Sequence, residues 1–430
     1  MTAISRHQPT TGKEETVQRY APVLKPRELA LMKSQLGPVP FIDLFCGCGG
    51  SSRGMEEAGY QLLLGMNHDP VAVWTHRTNH PHAEHKCENI NTYDKRKLPR
   101  ARVVWASILC TEASPNAGGK RARGQTSISL TGEDQGADEA TFVRTRASAL
   151  DVLAVAELHR PDAVVIENVI EFATDWELFN WWLGGMELLG YNVQIVSASS
   201  AHLGGGDNLL APQLRDRIYV VFTRKGIPLP DLRVHPEAIC RQCGPVLATQ
   251  VWNDPQARRI GAWGEKYEFR CPNRACGHLK VAPLTRAVGD IIDWTLPGRR
   301  VGDGRARHRK FKAYADATQA RIAVGLERYG PEPFIVMFRN NGTALPITGP
   351  VPTLNAQGRH HGLIIPAATV EDCTLRMLDV EELKLIQRFP ADFVIQGNQT
   401  QAILQIGNAV SVNAARWLGE RLLPSLALAA

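Results

Sequence analysis

The chain has 430 residues, 44% hydrophobic and 21% charged, enough apolar content for a large core and enough length for two or three domains. No run of about 18 apolar residues occurs, which excludes a membrane-spanning helix, and the opening MTAISRHQPTTGKEETVQRY lacks the apolar stretch of a secretory signal. The net charge of +6 is uneven: residues 225–350 hold 20 Lys and Arg against 11 Asp and Glu, the footprint of a polyanion-binding insert rather than of a merely solvated basic face.

Residues 1–38 read as a flexible tail. Pro40 to Phe45 then forms a short strand that runs into glycines, and Ser51 to Gly59 a helix closed by Gly59. Gln61–Met66 is a second strand and Pro70–Asn79 a helix. Val103–Leu109 is a buried strand, Ala147–His159 a helix, and Ala163–Ile166 another strand. Trp176–Leu189 is helical, Val193–Ser197 strand-like, and Arg217–Phe222 a further strand. Strand and helix in alternation imply a parallel sheet covered on both faces. From Lys225 to about Ile335 the chain is rich in Arg, Gly and Pro and the alternation stops. Order returns with helices at Val380–Phe389 and Ala409–Leu423.

Within the insert, Cys240-Arg-Gln-Cys243 and Cys271-Pro-Asn-Arg-Ala-Cys276 are separated by 27 residues. Two close pairs across a hairpin-length spacer are what a tetrahedral four-thiolate zinc site requires. His278 is a weaker substitute ligand. Four protein ligands leave no open position, so such a zinc is structural. The nine cysteines, odd in number and without a signal, also speak against a disulfide framework and for a cytoplasmic setting. Beyond the cysteines, Arg299 to Lys312 carries seven Lys or Arg and one Asp, suited to phosphate contacts that weaken with salt.

Asp43-Leu44-Phe45-Cys46-Gly47-Cys48-Gly49-Gly50 lacks the G-x-G-x-x-G spacing of a nicotinamide site. It resembles the S-adenosylmethionine motif of the cytosine C5 DNA methyltransferases. Four further stretches agree in the family's order: Glu167-Asn168-Val169, Gln213-Leu214-Arg215-Asp216-Arg217, Arg376-Met377-Leu378 with Gln387-Arg388-Phe389-Pro390, and Gly407-Asn408-Ala409-Val410 opening the last helix. The resemblance covers residues 39–420. It implies a Rossmann-like α/β fold with a mixed sheet and helices on both faces, plus a smaller, irregular, zinc-containing target-recognition domain. The boundaries it implies are a catalytic domain at 39–224, the recognition domain at 225–350 with its zinc-ribbon-like site near 240–278, and a return to the catalytic domain at 351–430.

By the same resemblance Cys110 is the nucleophile and Glu167 the acid at ring nitrogen 3, while Arg217, supported by Arg215, holds the base. Asp43, Phe45, Gly47, Gly49, Asn67, His68, Asn89, Ile90 and Asn408 would line the cofactor. The substrate would be double-stranded DNA, with the target base flipped out, acted on by a monomer. Read without the family, Cys110 is a buried thiol at a strand end, Glu167 a capping carboxylate and the arginines a surface fork.

Three departures stand out. Ile108-Leu109-Cys110-Thr111 replaces the usual Pro-Pro-Cys-Gln. Asn67 stands where a glutamate usually meets the ribose, and Asn89 where an aspartate usually meets the adenine amine. Amide oxygens still accept hydrogen bonds, but neutral bonds are roughly half as strong as those to a carboxylate. Weaker S-adenosylmethionine binding, or a modified cofactor or cytosine, is therefore expected. The other alternative is a DNA-binding relative of reduced activity.

Overall fold

The computed structural model describes residues 20–108, 137–305, 311–339, 342–356 and 360–428, with side chains in the second stretch described from 148 onward. The first lobe runs α1 (Pro26–Leu36), β1 (Val39–Leu44), α2 (Gly50–Glu57), β2 (Tyr60–Asn67), α3 (Pro70–Asn79), β3 (Glu84–Cys87), β4 (Val103–Ala106), α4 (Ala137–His159), β5 (Ala163–Asn168), α5 (Glu171–Thr174), α6 (Phe179–Leu188), β6 (Tyr191–Ser199), β7 (Gln213–Leu214) and β8 (Asp216–Arg224). Seven of the strands form one sheet in the order β3-β2-β1-β4-β5-β8-β6.

Alternation alone implied a parallel sheet, but β8 pairs antiparallel with both β5 and β6. The cause is local. Between β6 and β8 the chain holds only a short 3₁₀ turn (Ser200–His202) and β7, with no crossover helix to carry it back to the starting edge. The sheet is therefore mixed, as the family resemblance implied. Its central strands are buried on both faces: Phe41, Trp105, Val165 and Val221 join one apolar cluster and Ile42, Leu44, Val104 and Ile166 the other.

Part of the stretch expected to be a tail is helical. Residues 26–36 form α1, whose Leu29, Met32 and Leu36 pack against the core. Pro at its first turn suits a helix start.

The insert is more regular than its composition suggests. β9 (Glu237–Cys240) and β10 (Gly244–Leu247) make one hairpin, β11 (Thr249–Trp252) and β12 (Tyr267–Arg270) another. A separate five-stranded sheet follows. It combines β13 (Arg299–Arg300), β14 (Phe334–Met337), β15 (Ala344–Pro346), β17 (His361–Ile365) and β18 (Thr374–Met377) in the order β13-β18-β17-β14-β15, with α7 (Asp316–Tyr329) packed on it. This sheet takes strands from both sides of the boundary expected at residue 350. The intervening β16 (Val351–Pro352) pairs with β7.

The chain closes with α8 (Val380–Ile386), α9 (Gln399–Asn408) and α10 (Val412–Ala427). Gly407-Asn408-Ala409-Val410 was expected to open the last helix. Instead it ends α9 and crosses to α10.

α10 packs across α2 so closely that side chains are excluded. A Cβ on Gly50 would sit 2.1 Å from the Val410 carbonyl oxygen, and one on Gly54 2.4 Å from that of Val412. Backbone cannot yield as a flexible side chain can. Gly50→Ala is expected to lower the unfolding free energy by about 1–3 kcal/mol, read as a lower urea midpoint at unchanged slope.

Candidate active site

β1 ends in a turn that only particular residues tolerate. Phe45, Gly47 and Gly49 have φ of 61°, 53° and 105°. Gly49 is the residue before α2 and its left-handed conformation there favours glycine.

Asp43, expected to line the cofactor, lies beneath this turn with no exposed surface. Its Oδ2 accepts hydroxyl hydrogens from Ser51 and Ser52, each at 2.6 Å. With its one proton given to Asp43, Ser52 accepts from His76 Nε2 at 2.9 Å. His76 Nδ1 is then the acceptor toward His85 Nε2 at 2.8 Å. Burial, reinforced by His80, His85 and His82, holds His76 well below the usual imidazole range, consistent with one ring proton.

The turn borders a cavity lined by Phe45, Met66, Asn67, His68, Glu88, Asn89 and Ile90. It lies at the carboxyl ends of adjacent strands, the usual ligand position in such folds. Asn67 Oδ1 accepts the Asp69 N–H at 2.9 Å, and Asn89 Oδ1 that of Asn91 at 3.1 Å. Both amides are thus oriented by their own turns. Exposed Glu88, immediately before Asn89, brings a carboxylate that was not among the expected cofactor residues. Gly47 presents open space where a side chain would be. Asn408 is exposed at the end of α9 and is not among the cavity-lining residues.

β4 and β5 are parallel neighbours, with Ala106 opposite Ile166. At the end of β5, Asn168 Nδ2 donates to the Ile108 carbonyl at 3.2 Å and Asn168 Oδ1 accepts from Val169 N at 2.8 Å. The segment leading to Cys110 is therefore tied to the end of β5. Cys110 itself lies outside the described residues, as do residues 306–310 of the basic stretch. Glu167 is 7% exposed, and its Oε1 lies 3.1 Å from Arg217 Nε.

Arg215 was grouped with Arg217 at the base, but it turns away. It is 3% exposed, and its guanidinium donates to the carbonyls of Leu354 (3.1 Å), Gly407 (3.1 Å) and Ala409 (2.9 Å). Its position ties chain segments together.

The insert's cysteines converge. Cys240 ends β9, and a turn through Gly244 (φ 74°) places Cys243 beside it. Cys271 follows β12 and Cys276 closes a 3₁₀ turn. The four Sγ atoms lie within 4.8 Å of one another. Tetrahedral thiolates at about 2.3 Å from zinc stand about 3.8 Å apart, so the set fits that ion. His278 Nδ1 instead lies 3.1 Å from the Cys271 carbonyl.

Burial pushes the Asp43 carboxyl from 3.8 up to about 7. Between these values the folded chain holds a proton that the unfolded chain has released. The contribution of Asp43 to stability is thus greatest below the lower value, falls as pH rises through the window, and levels off above about 7; three units correspond to about 4 kcal/mol. Asp43→Asn is expected to lack this decline. Urea midpoints of both proteins at pH 5 and pH 8 provide the check.

The sequence model of the family C-5 cytosine-specific DNA methylase matches residues 39–423. The Type II methyltransferase M.DdeI of Desulfomicrobium norvegicum is 25% identical over 406 residues, 89% of this chain and 88% of that one. M.AgeI of Thalassovita gelatinovora is 27% identical over 188 residues, 43% of this chain and only 39% of its own length. The solved structure of the Entamoeba histolytica methyltransferase EhMeth superposes with a TM-score of 0.50 at 14% identity, covering 90% of this chain and 99% of that one, a likeness of fold. With its glycine turn, its Glu167–Arg217 pair and a family match over nearly its whole length, the chain belongs to the C-5 cytosine-specific DNA methylase family.

Proposed function

We propose that this protein transfers a methyl group from S-adenosylmethionine to carbon 5 of cytosine in double-stranded DNA, working on a base flipped out of the helix. The observation that carries the reading is the Glu167–Arg217 pair at the strand ends, next to the segment that leads to Cys110. The cofactor cavity agrees in chemistry. Phe45, Met66 and Ile90 offer apolar walls for a nucleoside, and Asn67, His68, Glu88 and Asn89 a polar rim for its hydroxyls and amine. Bound there, S-adenosylmethionine supplies a methyl group on a sulfonium.

The chain's residues prepare the base. The Cys110 thiolate forms a bond to carbon 6, and the electron pair of the 5,6 double bond is displaced into the ring as Glu167 delivers a proton to nitrogen 3. Arg217 holds the exocyclic oxygen and keeps Glu167 oriented. Carbon 5 is then an enamine carbon able to accept the methyl group. Loss of the proton from carbon 5 then expels Cys110 as thiolate, and nitrogen 3 returns its proton to Glu167, which restores the neutral ring.

Replacement of two carboxylates by Asn67 and Asn89 favours one second reading, a modified donor or an already modified cytosine. Mass analysis of reacted DNA separates the two, with 5-methylcytosine as sole product excluding the second.

Duplex DNA carrying 5-fluorocytosine, which blocks the final elimination, should form a covalent complex with the protein in the presence of S-adenosylmethionine. Cys110→Ser should abolish the complex, and Glu167→Gln should slow its formation by about 10²-fold or more. DNA retained without any adduct would instead identify a binding module.

The insert is read as a zinc-stapled DNA-recognition element. Its metal is structural and contributes folding energy directly. Protein purified without chelator should contain one zinc per chain by elemental analysis, and Cys271→Ser should lose it.

A further inference from the structure

The four-cysteine module does not stand off from the catalytic lobe. Cys240, Cys271 and Cys276 belong to the same buried cluster as Val196, Ala198, Leu203, Tyr219 and Val221 of that lobe. Tyr219 is the strand partner of Glu167. Core packing thus runs unbroken from the cysteines to the position opposite the catalytic acid.

Polar contacts fix the same joint. The Trp263 N–H donates to Asp216 Oδ1 at 3.1 Å. Gly261 N–H donates to Ser197 Oγ at 3.3 Å, and Gln250 Nε2 to the Ser197 carbonyl at 3.0 Å. The Trp263 and Phe269 rings meet buried His202 edge-on at 4.8 and 5.2 Å. Asp216 is held at both ends: its side chain by the insert, and its carbonyl by Arg217 Nη1 at 2.8 Å. Arg217 in turn pairs with Glu167.

We propose that the four-cysteine module is a positioning device for the Glu167–Arg217 pair, and that Asp216 is the positioning residue through which it acts. The hairpins closed by the metal hold Trp263 against Asp216. Asp216 fixes the start of β8, and with it the direction in which Arg217 leaves the strand. Metal bound in the recognition insert therefore governs turnover as well as DNA affinity. This rests on the methyltransferase reading above.

The test uses the full chain, with active sites counted by the 5-fluorocytosine adduct. Asp216→Ala should lower kcat per titrated site by about tenfold while KM for DNA and for S-adenosylmethionine stays within about twofold. Its zinc content should not change. Asp216→Asn keeps the acceptor oxygen and should restore most of the rate. Cys243→Ser should lose zinc and kcat together, and adding Asp216→Ala to it should cause little further loss, as expected of two residues acting along one route.

Wild-type kcat in Asp216→Ala, or full kcat in zinc-free Cys243→Ser, would overturn the proposal. So would a loss of rate matched by an equal loss of titratable sites, which signals unfolding alone. If the wild-type chain forms no adduct, the methyltransferase reading fails and this proposal falls with it.

Discussion

One buried guanidinium, that of Arg215, ties the two ends of the first lobe together. The lobe is interrupted by a long insert, so its closing helices must find the seven-stranded sheet across a large sequence separation. Arg215 joins the two parts by donating to carbonyls at Leu354, Gly407 and Ala409. Gly407 is in the last turn of α9, where carbonyls lack helical partners and a cation is favoured. Beside it, Gln213 accepts from Leu354 N at 2.6 Å and donates to Gln387 Oε1 at 3.1 Å, and Gln387 donates to the Ile406 carbonyl at 2.8 Å. A charge so enclosed persists only because these acceptors surround it, and removing it would leave their carbonyls unpaired in the core. With the ends thus joined, α10 can lie on α2 and support the glycine turn from behind.

Much of the framework was legible in the sequence because its causes are local. Turn glycines, strand runs and the spacing of cysteine pairs each act over a few residues, and the helix Pro70–Asn79 was read with its observed bounds. The roles of Arg215 and Arg217 were not separable. In an unbroken strand two residues i and i+2 share a face. Here β7 ends at Leu214 and β8 begins at Asp216, so Arg215 falls in the break and its direction is set by partners far along the chain. The five-stranded sheet was hidden for a similar reason. Its strands are short, and their pairing joins residues 299–300 to 374–375.

Asp43 shows a subtler limit. Alternation along β1 places it on the face of Phe41, which meets α2, and Ser51-Ser52 in the first turn of that helix were the available signal for an enclosed carboxylate. The carboxylate is part of what shapes the turn, joined through Ser52 and His76 to His85. The cavity beyond it is lined by the amides of Asn67 and Asn89, already oriented by neighbouring backbone N–H groups, together with the carboxylate of Glu88.

The shared core of the cysteine hairpins and β6–β8 bears on how such a protein could change its target. A recognition element resting on a polar, wet boundary could be exchanged like a tool head. Here the footing consists of Ser197, His202 and Asp216 on one side and Gln250, Gly261, Trp263 and Phe269 on the other. A transplanted reader would have to bring its half of that footing with it. The separate five-stranded sheet, whose edge strand carries Arg299 and Arg300, contributes none of these residues and can vary without disturbing that footing.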